Sequence, residues 1–120
     1  MSFQRLTVWM KAKNLAVQIY RESKASKEFD QDFGFKDQIR RAAVSIPSNI
    51  AEGYEMNTDR HSAHHFTVAK GSCAELMTHL IIAHEIGYLS HETAHELIDD
   101  ANHTLAMLKN LIRARRKRNL

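Results

Sequence analysis

Apolar residues return along most of this chain at steps of three and four, and those steps divide it into four helical segments. In the first, Leu6, Trp9, Ala12, Leu15 or Ala16, Ile19 and Tyr20 fall on one stripe, which predicts a helix from about Leu6 to Ser23. The stretch "SKASKEFDQDFG" that follows reads as a loop. A second helix begins near Phe35, carries Ile39, Ala42, Ala43, Ile46 and Ile50 inward, and ends around Gly53. Pro47 lies inside it without the N–H that a helix interior needs, which predicts a kink or an interruption there.

The next connection, "MNTDR", offers Thr58 or Asp59 as an N-cap. The third helix is the longest, from about Arg60 to Ile86, and would span about 40 Å at 1.5 Å per residue. Its apolar side carries Ala63, Phe66, Ala69, Cys73, Leu76, Met77, Leu80 and Ala83. Gly87 is placed to end it and Ser90 to cap a fourth helix. That helix turns Ala94, Leu97, Ile98, Ala101, Leu105, Leu108, Leu111 and Ile112 inward. Short connections make the last three helices antiparallel neighbours, so the expected fold is all-α, an up-and-down antiparallel four-helix bundle. With 120 residues, four Gly and one Pro, the chain reads as a single domain over 1–120, too poor in turn formers for a many-stranded sandwich or barrel.

Charge adds an asymmetry to this layout. The basic C-terminal tail, 109–120, carries six cations (Lys109, Arg113, Arg115, Arg116, Lys117, Arg118) and no acid. Without them the first 108 residues hold 11 Lys and Arg against 14 Asp and Glu, so the net charge of +3 becomes −3. A polyanion should meet the C-terminus before the body. The run has no interleaved aromatics on which bases would stack, so backbone contact is expected rather than sequence reading. A single cysteine, Cys73, allows no intrachain disulfide or CxxC site. Arg5, Lys11 and Lys13 break up the N-terminal apolar residues, so neither a signal peptide nor a membrane span is expected, and a reducing cytoplasm is the natural setting.

One motif points to chemistry. "SHETAHELIDDA" contains His-Glu-x-x-His, the zinc-binding signature of many metallopeptidases, with His91 and His95 one turn apart and Glu92 as a candidate base. A third ligand is missing. Ile98 and Ala101 stand at the Gly and His positions of the extended motif, and no His, Asp or Glu follows His103. With eight His and eight Glu in the chain, the pattern arises by chance in about one such sequence in thirty, so solvent-exposed residues at a helix start are the better reading. A non-catalytic metal site built from His84, His91 and His95 is the remaining metal candidate, and His61 and His65 form a similar pair at the other end of the third helix. Cys73, on an apolar stripe, reads as a buried structural thiol. No catalytic set and no cofactor are expected.

The second helix is more informative. Beside its apolar stripe, Gln38, Arg41, Ser45, Asn49 and Glu52 repeat at steps of three and four and share a face. Ser72, Glu75 and His79 share another on the third helix, where Gly71 would admit a neighbouring backbone. Gln38, Ser45, Asn49, Glu52, Ser72 and Glu75 are therefore candidates for a polar network between helices or between subunits.

"QIRRAAVSIPSNIAEGYE" resembles the signature of the four-helix-bundle proteins encoded by intervening sequences in bacterial 23S ribosomal RNA genes. That family also includes the accessory protein of diversity-generating retroelements. The resemblance extends to "LTVWMKAKNLAVQIY", "FGF", "AKGSCAEL" and "EIGYLS". It implies a homopentamer with no known catalytic activity that presents basic surface to nucleic acid, RNA or DNA, and in the retroelement branch contacts a reverse transcriptase. Ser45, Pro47, Ser48, Asn49, Glu52 and Gly53 match the motif with an architectural role, and Arg40 and Arg41 match its basic pair. The chain departs from the pattern after Gly53, where "HSAHH" replaces acidic and other polar residues. A protein-interaction scaffold that organises a partner such as a reverse transcriptase is the alternative function.

Overall fold

Four of the five α-helices among the described residues begin where a side chain takes up a free amide of the first turn, and only the first, which follows Leu6, has no such cap. The structure is a computed structural model and describes residues 2–118. After a 3-10 turn at Phe3–Arg5, α1 runs over Thr7–Ala25, α2 over Lys27–Gln31, α3 over Phe33–Glu55, α4 over Asp59–Glu85 and α5 over His91–Arg118. Ser26, Asp32, Thr58 and Ser90 cap the last four, accepting from the amides of Phe29, Phe35, His61 and Thr93 at 3.4, 3.3, 3.2 and 3.1 Å. The end of α4 is closed by Gly87 at φ +84°, which lets the amide of Tyr88 reach back to the carbonyl of Ala83 at 2.8 Å.

Two expectations change. "SKASKEFDQDFG" is not a loop, because Ser26 and Asp32 act as caps rather than turn residues and buried Phe29 pins the short α2 to the core. Pro47 does not interrupt its helix either: α3 is continuous from Phe33 to Glu55. The missing N–H leaves the Ala43 carbonyl without its helical partner at a cost of about 3 kcal/mol. Pro47 itself is buried at the seam between α1 and α3, where packing offsets that cost.

The four long helices form a square. α3 and α5 each pack on both α1 and α4, which places α1 and α4 across the diagonal. The resulting prism measures 49 × 22 × 19 Å. Its core holds Leu15, Ile19, Ile39, Ile46, Ile50, Phe66, Leu76, Leu80, Leu97 and Leu108 among others, so the stripes read from the sequence face one another. Ile98, Leu105 and Leu111 are half-buried at its margin, while Thr104 is fully buried with its hydroxyl donating to the Asp100 carbonyl at 2.9 Å.

Side-chain ties fix the seams. Tyr88 donates to Asp32 Oδ2 at 2.7 Å and its ring stacks on Phe29 at 5.1 Å, so the α4–α5 connection is latched to the α2–α3 junction. That carboxylate holds the Tyr88 phenol above its ordinary pKa, chiefly by the hydrogen bond. Lys11 meets Asp100 at 3.5 Å between α1 and α5. Between α3 and α4 the tie is an absence of atoms: a Cβ at Gly53 would stand 2.5 Å from Cε1 of Phe66, a ring that is wholly buried.

Gly53→Ala is therefore expected to destabilise the fold by about 1–3 kcal/mol through overpacking, outweighing the roughly 1 kcal/mol that alanine gains in a helix. Urea denaturation followed by circular dichroism checks this, and an unchanged or raised midpoint would show that α3 and α4 can part without cost.

Candidate functional site

The C-terminal cations are not a loose tail in the described residues but the last turns of α5, with residues 119 and 120 outside them. Lys109, Arg113, Arg116 and Lys117 follow one another at steps that return to one helix face. Joined by Lys70 from α4 and floored by Ile112, they line an open groove of about 520 Å³ with no acidic residue in its wall. Arg115 and Arg118 turn the other way and meet the two oxygens of Asp59 at 3.2 and 3.3 Å. Asp59, in the first turn of α4, is also where a negative charge is favoured by the helix dipole. Among the described residues the six cations thus divide into four that line the groove without an ion pair and two held by one carboxylate.

Arg40 and Arg41 lie on the first half of α3, towards the opposite end of the prism, and are not brought together with the groove. Arg40 faces α1, donating to Ser23 Oγ at 2.9 Å and to the Tyr20 carbonyl at 3.4 Å, with its guanidinium 4.3 Å from the centre of the Tyr20 ring. Arg41 is exposed and pairs with Asp37 at 2.9 Å.

The polar residues of α3 and α4 meet in part. Ser45 and Ser72 share a hydrogen bond of 2.8 Å across the helix seam, and Asn49 Nδ2 donates to the Ser45 carbonyl and hydroxyl at 2.9 and 3.1 Å. The amide orientation this sets turns Asn49 Oδ1 to His65 Nδ1 at 3.3 Å, and Glu52 Oε2 lies 3.2 Å from the same nitrogen. Both partners are acceptors, so Nδ1 carries the proton. Gln38 and Glu75 are exposed and stand outside this ladder, and His79 is buried against the edge of Phe35 rather than sharing its face. His65 is the member that reading α3 alone missed; its i, i+4 pairing with His61 drew attention to metal instead. Lys70 and the ion pairing of Asp59 were missed because both depend on α5 packing beside α4.

At the other end, His84, His91 and His95 form a row, with ring centres 5.4 and 6.2 Å apart, and His95 contacts Asp99 at 3.5 Å. Among the described residues no group of three His, Cys, Asp or Glu is arranged to hold a metal ion. Ser45 bonds to Ser72 and to Asn49, and His65 is reached through Asn49 rather than by either serine. Cys73 is buried and its thiol is pushed by burial from the ordinary 9.0 up to about 12. No helix among the described residues is long and apolar enough to cross a membrane.

Comparison with known proteins adds two findings. The family model described as 23S rRNA-intervening sequence protein matches residues 4–110. A crystal structure of a protein of unknown function from the S23 ribosomal protein family of Bacteroides thetaiotaomicron superposes with a TM-score of 0.83 at 22% identity, covering 88% of this chain and 98% of that one. That likeness concerns the fold. No curated protein matches. The matched segment ends before Arg113, so most of the groove's cations lie beyond it.

Asn49→Ala, which removes the hinge of the ladder, should lower the unfolding free energy by about 1–2 kcal/mol, whereas exposed Gln38→Ala should stay within about 0.5 kcal/mol. Equal effects in chemical denaturation would deny the ladder its role. Cys73 should resist a thiol-reactive disulfide reagent at pH 8 in the folded protein and react fully in denaturant. Because its folded pKa is raised, this group contributes stability below the unfolded value that is lost as pH climbs from about 9 towards about 12. Immediate labelling of the native protein would contradict that burial.

Proposed function

This chain belongs to the 23S rRNA-intervening sequence protein family, and we propose that it serves as a non-catalytic, homo-oligomeric accessory protein that holds RNA or DNA by the phosphate backbone. The observation that carries this reading is the groove of Lys70, Lys109, Arg113, Arg116 and Lys117, five cations with no acid among them. Successive turns of α5 repeat four of these charges along one side of the helix, a row that can follow a phosphate backbone. No aromatic residue lines the groove, which favours backbone contact over base recognition. Arg41, exposed but paired with Asp37, is a secondary contact, and Arg40 serves the α1–α3 seam first. The resemblance carried by the α3 signature supports a ring of five, in which five identical grooves would raise the avidity for one long polyanion.

A protein scaffold that organises a partner such as a reverse transcriptase is the second reading. It draws on the exposed Val17, Tyr20, Val44, Val68, Ile81 and Ile82.

The groove reading predicts salt-sensitive binding of structured RNA and duplex DNA by the full chain. In K109E/R113E/R116E the dependence of log affinity on log salt should flatten by about 2 to 3, while circular dichroism stays unchanged. Fluorescence anisotropy at two salt concentrations reads both. Absence of binding at low salt by the unaltered protein would overturn the groove and favour the scaffold.

A further inference from the structure

We infer that the outward face of α4 in one copy of this chain packs head to tail into the groove between α1 and α3 of the next. The inference rests on the homo-oligomeric part of the proposed function and names the surfaces that make it.

α4 is apolar on two faces. One buries Phe66, Ala69, Cys73, Leu76 and Leu80 in the core, and the opposite one leaves Val68, Ile81, Ile82 and Ile86 at 40, 47, 41 and 51% exposure. Apolar residues left exposed on the far side of an already packed helix offer a second packing surface. From Gly71 to Ile86 the helix carries Glu75 and Glu85 and no Lys or Arg. Gly71 has no atom within 4 Å of where its Cβ would stand, so the close approach its size permits is not used within one chain.

The complementary surface lies on α1 and α3. Val17, Tyr20 and Val44 floor a groove of about 390 Å³, and every charged residue lining it is a cation: Lys13, Arg21 and Lys24. Glu75 and Glu85 are ten residues apart, about 15 Å along α4, and Lys13 and Lys24 are eleven apart, about 16 Å along α1. Ile81 and Ile82 lie between the two acids on α4, and Val17 and Tyr20 lie between Lys13 and Lys24 on α1. A second copy is the occupant because this chain supplies both halves, and their places in the square keep them from meeting within one copy. Two different patches facing different directions make a heterologous contact, which closes into a ring when its rotation allows.

Light scattering on size-exclusion chromatography of the full chain tests this with two surface variants, Ile82→Asp on α4 and Val44→Asp in the groove, each checked for helix content and thermal midpoint. The unaltered protein is expected to exceed a dimer in mass. Each variant alone should run as a monomer, and an equimolar mixture should give a heterodimer of twice the 13.8 kDa chain mass, since each variant keeps the face that the other has lost. A mixture that stays monomeric would overturn the head-to-tail pairing. If the unaltered protein is an oligomer that neither variant disturbs, the surface assignment fails while the homo-oligomeric reading stands. A monomeric unaltered protein at tens of micromolar would remove both.

Discussion

The distance between α3 and α4 is set at Gly53. With no side chain there, the buried ring of Phe66 lies against the α3 backbone, and the two axes run close enough for short side chains to meet. The 2.8 Å bond between the Ser45 and Ser72 hydroxyls depends on this, because serine reaches only one atom beyond Cβ. Asn49, His65 and Glu52 then extend that bond along the seam. A hydrophobic stripe would bring the same helices together without choosing a register. The glycine gap and the hydroxyl pair choose one, and α5 inherits it by packing along α4.

Much of this was legible in the chain because the physics is local. Steps of three and four identify the buried face of each long helix, and the caps Thr58 and Ser90 and the terminator Gly87 act within a turn of their own position. The α3 ladder was half legible for the same reason. Ser45, Asn49 and Glu52 share a face by spacing alone, but spacing gives no distance to the neighbouring helix, so Gln38 and Glu75 fit the pattern and still point to solvent. Buried Phe29 and the two caps around it turned a stretch of polar residues into α2, a tertiary effect that composition hides. Of the kink or interruption expected at Pro47, the interruption does not occur, because propensity is a weak force beside burial at a helix seam.

The cations show why a charge count is a poor map of a surface. Six bases stand together in sequence, yet helical geometry sends Arg115 and Arg118 to Asp59 and leaves the rest beside Lys70, 39 positions before the first of them. Arg40 and Arg41 are neighbours in sequence with opposite fates, one drawn over the Tyr20 ring and the other left in solvent. Sequence fixes the number of charges; packing decides which remain without a counter-ion.

The square arrangement of helices bears on how the chain finds its structure. Going round the square, α1 meets α3, α3 meets α4 and α4 meets α5, so three of the four edges join segments that are close in sequence. Only the edge between α1 and α5 is distant, and its ion pair, Lys11 to Asp100, spans 89 residues. That edge closes the longest loop of the four, at a cost that grows only with the logarithm of its length, while the others join segments near in sequence. Bundles built mostly of such near-neighbour contacts fold in microseconds to milliseconds, and here the first and last helices alone must meet across the length of the chain.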